Sequence, residues 1–532
     1  MTAATTRFRP LAEDIVDDLL RFAPEAATEL GDHRYDDQLS DLSESGLAAW
    51  RQVFRAHLDE LDSLDLDDLG PQDAVDAEML RAGLDREVFA LDRLREHTWN
   101  PLVWLPGDAV YPLLVRNSVP VPDRLRAVAS RLAAVPDRLA AARATLVDMP
   151  AVHVETAVGQ ASGALALIRD QVPALLAADP GLAGVVEPAQ RAALAALTGF
   201  RTWLAEQQET ASGEPRLGAE LFAAKLHLVL DADLSAEQVV TEAEAALTDI
   251  TAALSAVAAE WVGAGDDPIR RALDRAARDA PDDRTIVALA ERTLAETTEF
   301  VRRTGIVAVP DDRCEIEVMP EFRRGIAVAY CDAPGPLESG GVTYYAISPT
   351  PSDWPADRVA SFYREYNTAM MINMTVHEAM PGHVLQLARA RQYRGATRVR
   401  QVLASGPFVE GWAAQAERIM AELGCGGLPV RLQQLKMQLR MTINALLDAG
   451  VHAAGMGEAE ALDLMTCRGF QEEGEAVGKW RRALLTSTQL STYFVGYTEL
   501  APLLAGRSTY DDVLAHGSPP PRHLAALLAA AG

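Results

Sequence analysis

The feature that most constrains this chain is a helical apolar rhythm sustained from about residue 10 to residue 305. In stretches such as 123–149 and 235–262, apolar residues recur at spacings of three and four, which puts them on one face of an α-helix. A strand alternates its faces every second residue, so this pattern has no use for a large sheet. Short breaks punctuate the helices. Asp179-Pro180, the SGEP run at 212–215 and the GAGDDP run at 263–268 predict turns between helices, and no repeat of fixed period emerges.

Between about 305 and 350 the pattern changes. Three short runs rich in Val, Ile and Tyr, at 313–319, 325–331 and 341–347, are separated by Pro and Gly and predict a small sheet. An exposed edge of such a sheet could hold an extended peptide, or the sheet could simply cap the helices. Helices then return in 357–380, 409–423 and 432–455. The expected architecture is mainly α with a cleft and a small β-sheet. A helical scaffold over 1–305 is followed by a catalytic part over 306–532, as one continuous fold.

At 532 residues, with 49% hydrophobic and 23% charged residues, the chain can bury a large core without disulfides or a structural metal. The net charge of −27 argues against a nucleic-acid partner, because such binding needs Lys and Arg to neutralise phosphates. Acidic residues interrupt the first apolar stretch, unlike the apolar core of a signal peptide. No uninterrupted apolar run reaches a membrane span, so no membrane partner is expected. Cys314, Cys331, Cys425 and Cys467 are far apart and form no CxxC pair, so neither a disulfide framework nor a thiolate metal site is signalled. These features together predict a cytoplasmic location. Nothing sets the oligomeric state.

The segment HEAMPGH, residues 377–383, carries the chemistry. Neutral imidazoles bind zinc, and in an H-E-x-x-H helix two of them share a face while the Glu acts on water. Here the second histidine falls six residues on, about 120° round a regular helix. The helix must therefore be deformed. Pro381, four residues after His377, would clash with the carbonyl of residue 377 and lacks the N–H that bonds to it. A turn at Pro381-Gly382 would let the helix resume at His383, turning both imidazoles to one side.

The same segment resembles the HExxPGH signature of a bacterial family known as domain of unknown function 885, itself similar to helical zinc peptidases of the glutamate-ligand class. The likeness extends to GDHRYDD at 31–37, RLGAELFAAKL at 216–226, MPEFRRGIAVAYCDAPGPLE at 319–338, EYN at 365–367, VEGWAAQAE at 409–417, LLDAGVHAAG at 446–455 and STYFVGYTEL at 491–500. The resemblance implies that His377 and His383 bind Zn2+, that Glu410 is the third ligand and that Glu378 is the general base. It also offers Tyr493 and His452 as oxyanion donors, with Tyr497 in reserve. Glu417, seven residues after Glu410 and on nearly the same helix face, is a candidate to orient a ligand. Asn444 departs from the pattern, since relatives carry an Arg four residues before Asp448.

The function expected from this is zinc-dependent hydrolysis of amide bonds in small peptides or peptide-like substrates. Alternatives are a metal-dependent amidase acting on a non-peptide amide, and a catalytically silent metal-binding protein. Met370, Met371 and Met374 read as packing residues, and the remaining histidines lack ligand spacing. GxG patterns without a strand-turn-helix context exclude a nucleotide site.

Overall fold

The computed structural model describes residues 2–232, 234–319, 324, 327–338 and 340–531. It is mainly helical with a small three-stranded sheet. The chain forms two compact units. The first comprises 1–215 with the segments 334–341 and 395–403, and the second comprises 216–333, 342–394 and 404–532. The change of character near residue 305 thus marks the start of the sheet, whereas helices from Ala219 to Thr304 group with the second unit.

In the first unit three long helices, Val121–Thr145, Ala151–Leu176 and Ala183–Gln207, pack on one another. Their periodic residues, including Leu125, Val128, Leu132, Ile168, Leu197 and Phe200, form one buried cluster. Segments distant in sequence are tied in by polar contacts. Arg400 and Asp76, both buried, are paired at 2.7 Å. His33 of the GDHRYDD motif lies between Asp36 at 2.8 Å and Glu338 at 3.1 Å, so the motif anchors the 334–341 segment. Gly31 has φ +87°, and a Cβ there would come within 2.6–2.7 Å of Glu338, which explains the glycine at that step.

The second unit holds the sheet: β1 (Cys314–Val318), β2 (Ala329–Asp332) and β3 (Thr343–Ile347). Its order is β1-β3-β2, with β1 parallel and β2 antiparallel to the central β3. Residues 320–323, 325 and 326, within the MPEFRRGIAVAYCDAPGPLE motif and at the start of the expected second strand, lie outside the described residues. The helices after the sheet are numbered here from α1 (Ala356–Glu365), through α2 (Thr368–Glu378), α3 (His383–Gln392), α4 (Gly406–Glu422), α5 (Gly427–Ala453) and α6 (Glu473–Leu485), to α7 (Ser491–Leu504).

The core around the site is built from β3, α2, α3 and α4. Tyr345, Ile347, Met370, Met371, Val376, Leu385, Phe408 and Trp412 are buried in one cluster, with Met374 partly buried against it. Thr375 ties α2 to its neighbours: its hydroxyl lies 2.7 Å from that of Thr293 and 3.1 Å from that of Tyr345. Helices α4 and α7 cross with backbone against backbone. A Cβ on Gly411 would fall 2.4 Å from the carbonyl carbon of Gly496, and one on Gly496 would fall 2.0 Å from the carbonyl oxygen of Pro407. No side chain fits at that crossing, and the residue beside it is Glu410.

Candidate metal centre

Helix α2 is capped by Asn367, whose side chain accepts from the Met370 N–H at 3.2 Å, and ends at Glu378. The chain then leaves the helical path for four residues, across a cis Met380–Pro381 bond, and α3 begins at His383. At the end of α2 the Met380 N–H joins that of Ala379 on Thr375 O, at 3.0 and 2.9 Å, and Val376 O, which Met380 would serve in a regular helix, accepts from the Gly382 N–H at 2.9 Å instead. Trp412 on α4 donates its indole N–H to the Pro381 carbonyl at 2.9 Å, holding the turn from the side. Gly382 lies so close to the end of α2 that a Cβ would sit 1.8 Å from His377 O.

This interruption does what a continuous helix could not. The His377 and His383 rings stand nearly perpendicular at a centroid distance of 4.8 Å. Both Nε2 atoms face one oxygen of Glu410, at 3.6 Å from His377 and 3.5 Å from His383. Ligand atoms of the three residues all lie within 4.8 Å of one another. The shared oxygen, Glu410 Oε2, is buried and makes no hydrogen bond among the described residues. Donors about 2.0–2.1 Å from a tetrahedral zinc lie roughly 3.3–3.4 Å apart. The two His–Glu distances are therefore too long for good hydrogen bonds and close to the spacing of ligands sharing one cation. Two imidazoles and a carboxylate are also the donor set zinc takes in sites with an open position.

A second carboxylate supports the first histidine. Glu417, buried on α4, accepts from His377 Nδ1 at 2.7 Å through Oε1, and its Oε2 accepts from the Asn373 amide one turn earlier on α2. This fixes the His377 ring with Nε2 toward Glu410. Burial pushes His377 toward the neutral form, yet Glu410 and Glu417 outweigh it and raise its pKa well above that of an ordinary imidazole. Burial likewise pushes Glu410 up, and the two imidazoles outweigh it and hold its carboxyl well below the usual range. The site thus favours positive charge between these three side chains. Replacing Glu417 by Gln should weaken metal affinity about 10–100-fold, the usual worth of a carboxylate that orients a ligand. Chelator competition on the purified variant measures it, and unchanged affinity would remove Glu417 from this role.

Glu378 follows His377 directly. Burial raises its pKa, while the two imidazoles oppose the rise. The backbone of Cys331 on β2 also opposes the rise, so the edge strand lies beside this carboxylate. Neither Asn373 nor this Cys331 contact was foreseen; the Asn373 signal was available, since it lies four residues before His377 on one helix face.

The structure separates the two oxyanion candidates. Tyr493 stands on α7, three residues before the Gly496 crossing next to Glu410, and its hydroxyl receives the Gln489 amide at 3.2 Å and Arg482 at 3.5 Å. His452 is committed elsewhere. Its Nε2 lies 2.8 Å from both Ala483 O and Thr486 O at the end of α6, and its ring stacks on Phe222. Its Nε2 is thus occupied by backbone carbonyls, while its Nδ1 is buried with no hydrogen bond among the described residues. Asp448, one turn earlier, receives the N–H groups of Thr488 and Ser491, each at 3.0 Å, and so secures the start of α7. Asn444 is buried on the same helix, and its Oδ1 makes no hydrogen bond. Tyr497 sits one turn beyond Tyr493, its hydroxyl pushed up to about 12 by burial.

The chain is similar over nearly its full length to two solved structures. A "putative lipoprotein of unknown function" from Shewanella oneidensis is 26% identical, with 97% of this chain and 98% of that one covered and a TM-score of 0.78. A "putative lipoprotein" from Colwellia psychrerythraea is 15% identical, with 99% of each chain covered and a TM-score of 0.80, a likeness of fold. No curated protein matches. The description of both structural relatives contradicts the cytoplasmic location expected from the sequence. That expectation rested on acidic residues within the first helix and on scattered cysteines. The helix Ala3–Phe22 buries Phe8, Ile15, Val16 and Leu20 as core, so its pattern reports folding and carries no information on compartment; the four cysteines are free thiols. The family profile described as "Bacterial protein of unknown function (DUF885)" matches residues 24–528, and the chain belongs to that family.

Proposed function

We propose that this protein is a zinc-dependent hydrolase of amide bonds in small peptides or peptide-like substrates, with the architecture of a helical glutamate-ligand zinc peptidase. The observation that carries the reading is the buried Glu410 oxygen, without a hydrogen bond, faced by two imidazole nitrogens at 3.5 and 3.6 Å. His377, His383 and Glu410 would hold the ion, and Glu417 would keep His377 in the ligating orientation. When bound, zinc supplies a Lewis acid that makes water nucleophilic at neutral pH.

The chain's own groups do the rest. Glu378, buried beside the two imidazoles that oppose the rise in its pKa, takes the proton from the attacking water and returns it to the leaving amine. The Tyr493 hydroxyl accepts from Gln489 and Arg482, which leaves its own hydrogen free to donate to the oxygen that gains charge as the carbonyl is attacked. Metal-loaded protein incubated with a mixed peptide library should release new amino termini, and Tyr493→Phe should lower the rate about 10²–10³-fold, the usual worth of one oxyanion donor. Stoichiometric zinc with no cleavage of any peptide would instead favour a silent metal-binding protein.

A further inference from the structure

The EYN motif at 365–367 takes no part in the metal centre, yet it anchors a buried charge network in the same compact unit. Glu365 is 1% exposed. Its Oε2 accepts from Lys436 Nζ at 2.8 Å and from the Glu472 N–H at 3.2 Å. Glu475 on α6 is paired with the Arg440 guanidinium and accepts from the Tyr366 hydroxyl at 3.2 Å. Lys436 thus serves Glu365, and Arg440 serves Glu475 while also lying 3.9 Å from Glu365.

Lys479 is left over. It lies one turn after Glu475 on α6, is 7% exposed, and makes no hydrogen bond or ion pair among the described residues. An unpaired ammonium in such a place is costly, because a buried charge needs a partner to offset lost hydration. Three residues on, Arg482 has no carboxylate partner among the described residues: its guanidinium meets the neutral acceptors Gln489 Oε1 at 2.6 Å and the Tyr493 hydroxyl at 3.5 Å. Two cations therefore share one face of α6 with no carboxylate bonded to either among the described residues, and one of them touches the tyrosine assigned to the reacting carbonyl.

We propose that Lys479 and Arg482 form a recognition site for a carboxylate of the ligand, so that the preferred substrate is an anionic peptide or peptide-like amide. The identity of the ligand rests on the hydrolase reading, whereas the anion site stands on its own geometry. A planar carboxylate suits a guanidinium beside an ammonium, accepting from both through charged hydrogen bonds. Its arrival supplies the charge that the network lacks. Burial, reinforced by Arg440 and Arg482 and opposed by Glu475 and Glu365, holds the Lys479 ammonium down at about 7. Lys436 and Tyr366 complete the polar groups of this network, each already bonded to one of those carboxylates. A bound carboxylate favours the charged amine, so binding should draw a proton onto Lys479 and weaken as pH rises through about 7.

The test uses the whole protein with succinate as probe, read by calorimetry at constant ionic strength and in buffers of different ionisation enthalpy. Saturable binding with proton uptake at pH 7.5 is expected. Lys479→Met removes an unpaired buried charge and should fold normally; it should bind succinate about 10–100-fold more weakly, the worth of a charged hydrogen bond, and lose the proton uptake. Arg482→Gln, nearer the surface, should weaken binding as well. Competition by trialanine but not by its amide marks a peptide terminus as the source of the carboxylate; competition by N-acetylaspartate amide marks an acidic side chain. No saturable binding to the unaltered protein, or equal binding by Lys479→Met, would overturn the proposal. Zinc content measured on the same samples separates the outcomes, since loss of metal with succinate binding intact refutes only the hydrolase reading.

Discussion

Replacing Glu378 by Gln should reduce amide hydrolysis about 10²–10⁴-fold while leaving metal content unchanged, because a positioned general base is worth that much and the amide keeps the size of the acid. The geometry supports the separation. Glu378 follows His377 in the chain but is absent from the donor set of His377, His383 and Glu410, and the backbone of Cys331 on β2 lies beside it. The two effects are read on one preparation, by initial rates and by metal analysis. Loss of zinc together with activity would place Glu378 among the ligands, and full activity would end its role as base.

An effect of similar size is expected from Gly382→Ala, for a different reason. Gly382 has a negative φ, −73°, and lack of space calls for glycine there. The added methyl would lie 1.8 Å from His377 O and 2.4 Å from Val376 O, and both are backbone atoms that cannot swing aside. The turn would have to open, with a cost of about 3 kcal/mol for a contact of this kind in a packed core. Opening it also moves His383 away from His377, so metal should be lost before the protein unfolds. Thermal melting with and without added zinc checks both parts. A variant with unaltered melting temperature and full zinc would contradict the account of the turn.

The helices and the broken segment were legible in the sequence because both are local. Apolar spacing sets the helix face, and Pro381 four residues after His377 forbids the regular path whatever surrounds it. The small sheet was legible in Val, Ile and Tyr runs, although its β1-β3-β2 order was not. What stayed hidden depends on contacts distant along the chain. Arg400 and Asp76 meet across 324 residues, and His33 and Glu338 across 305; no periodicity announces that 334–341 and 395–403 pack with the N-terminal unit. His452 was ambiguous because its place one turn after Asp448 is that of a working histidine as much as of a structural one, and the carbonyls of Ala483 and Thr486 that occupy its Nε2 lie too far along the chain for spacing to show. Glu417 gained its role from a partner, Asn373, that helix spacing could have supplied.

The central claim is that His377, His383 and Glu410 hold one metal ion between them. It is tested most directly by counting zinc per chain in the purified protein and in Glu410→Ala, under chelator-free conditions with equal zinc supplied during growth. Three protein ligands hold a catalytic zinc and two leave it weakly bound, so the account predicts close to one zinc per chain in the first and a small fraction in the second. Equal zinc in both proteins, or none in either, would contradict it.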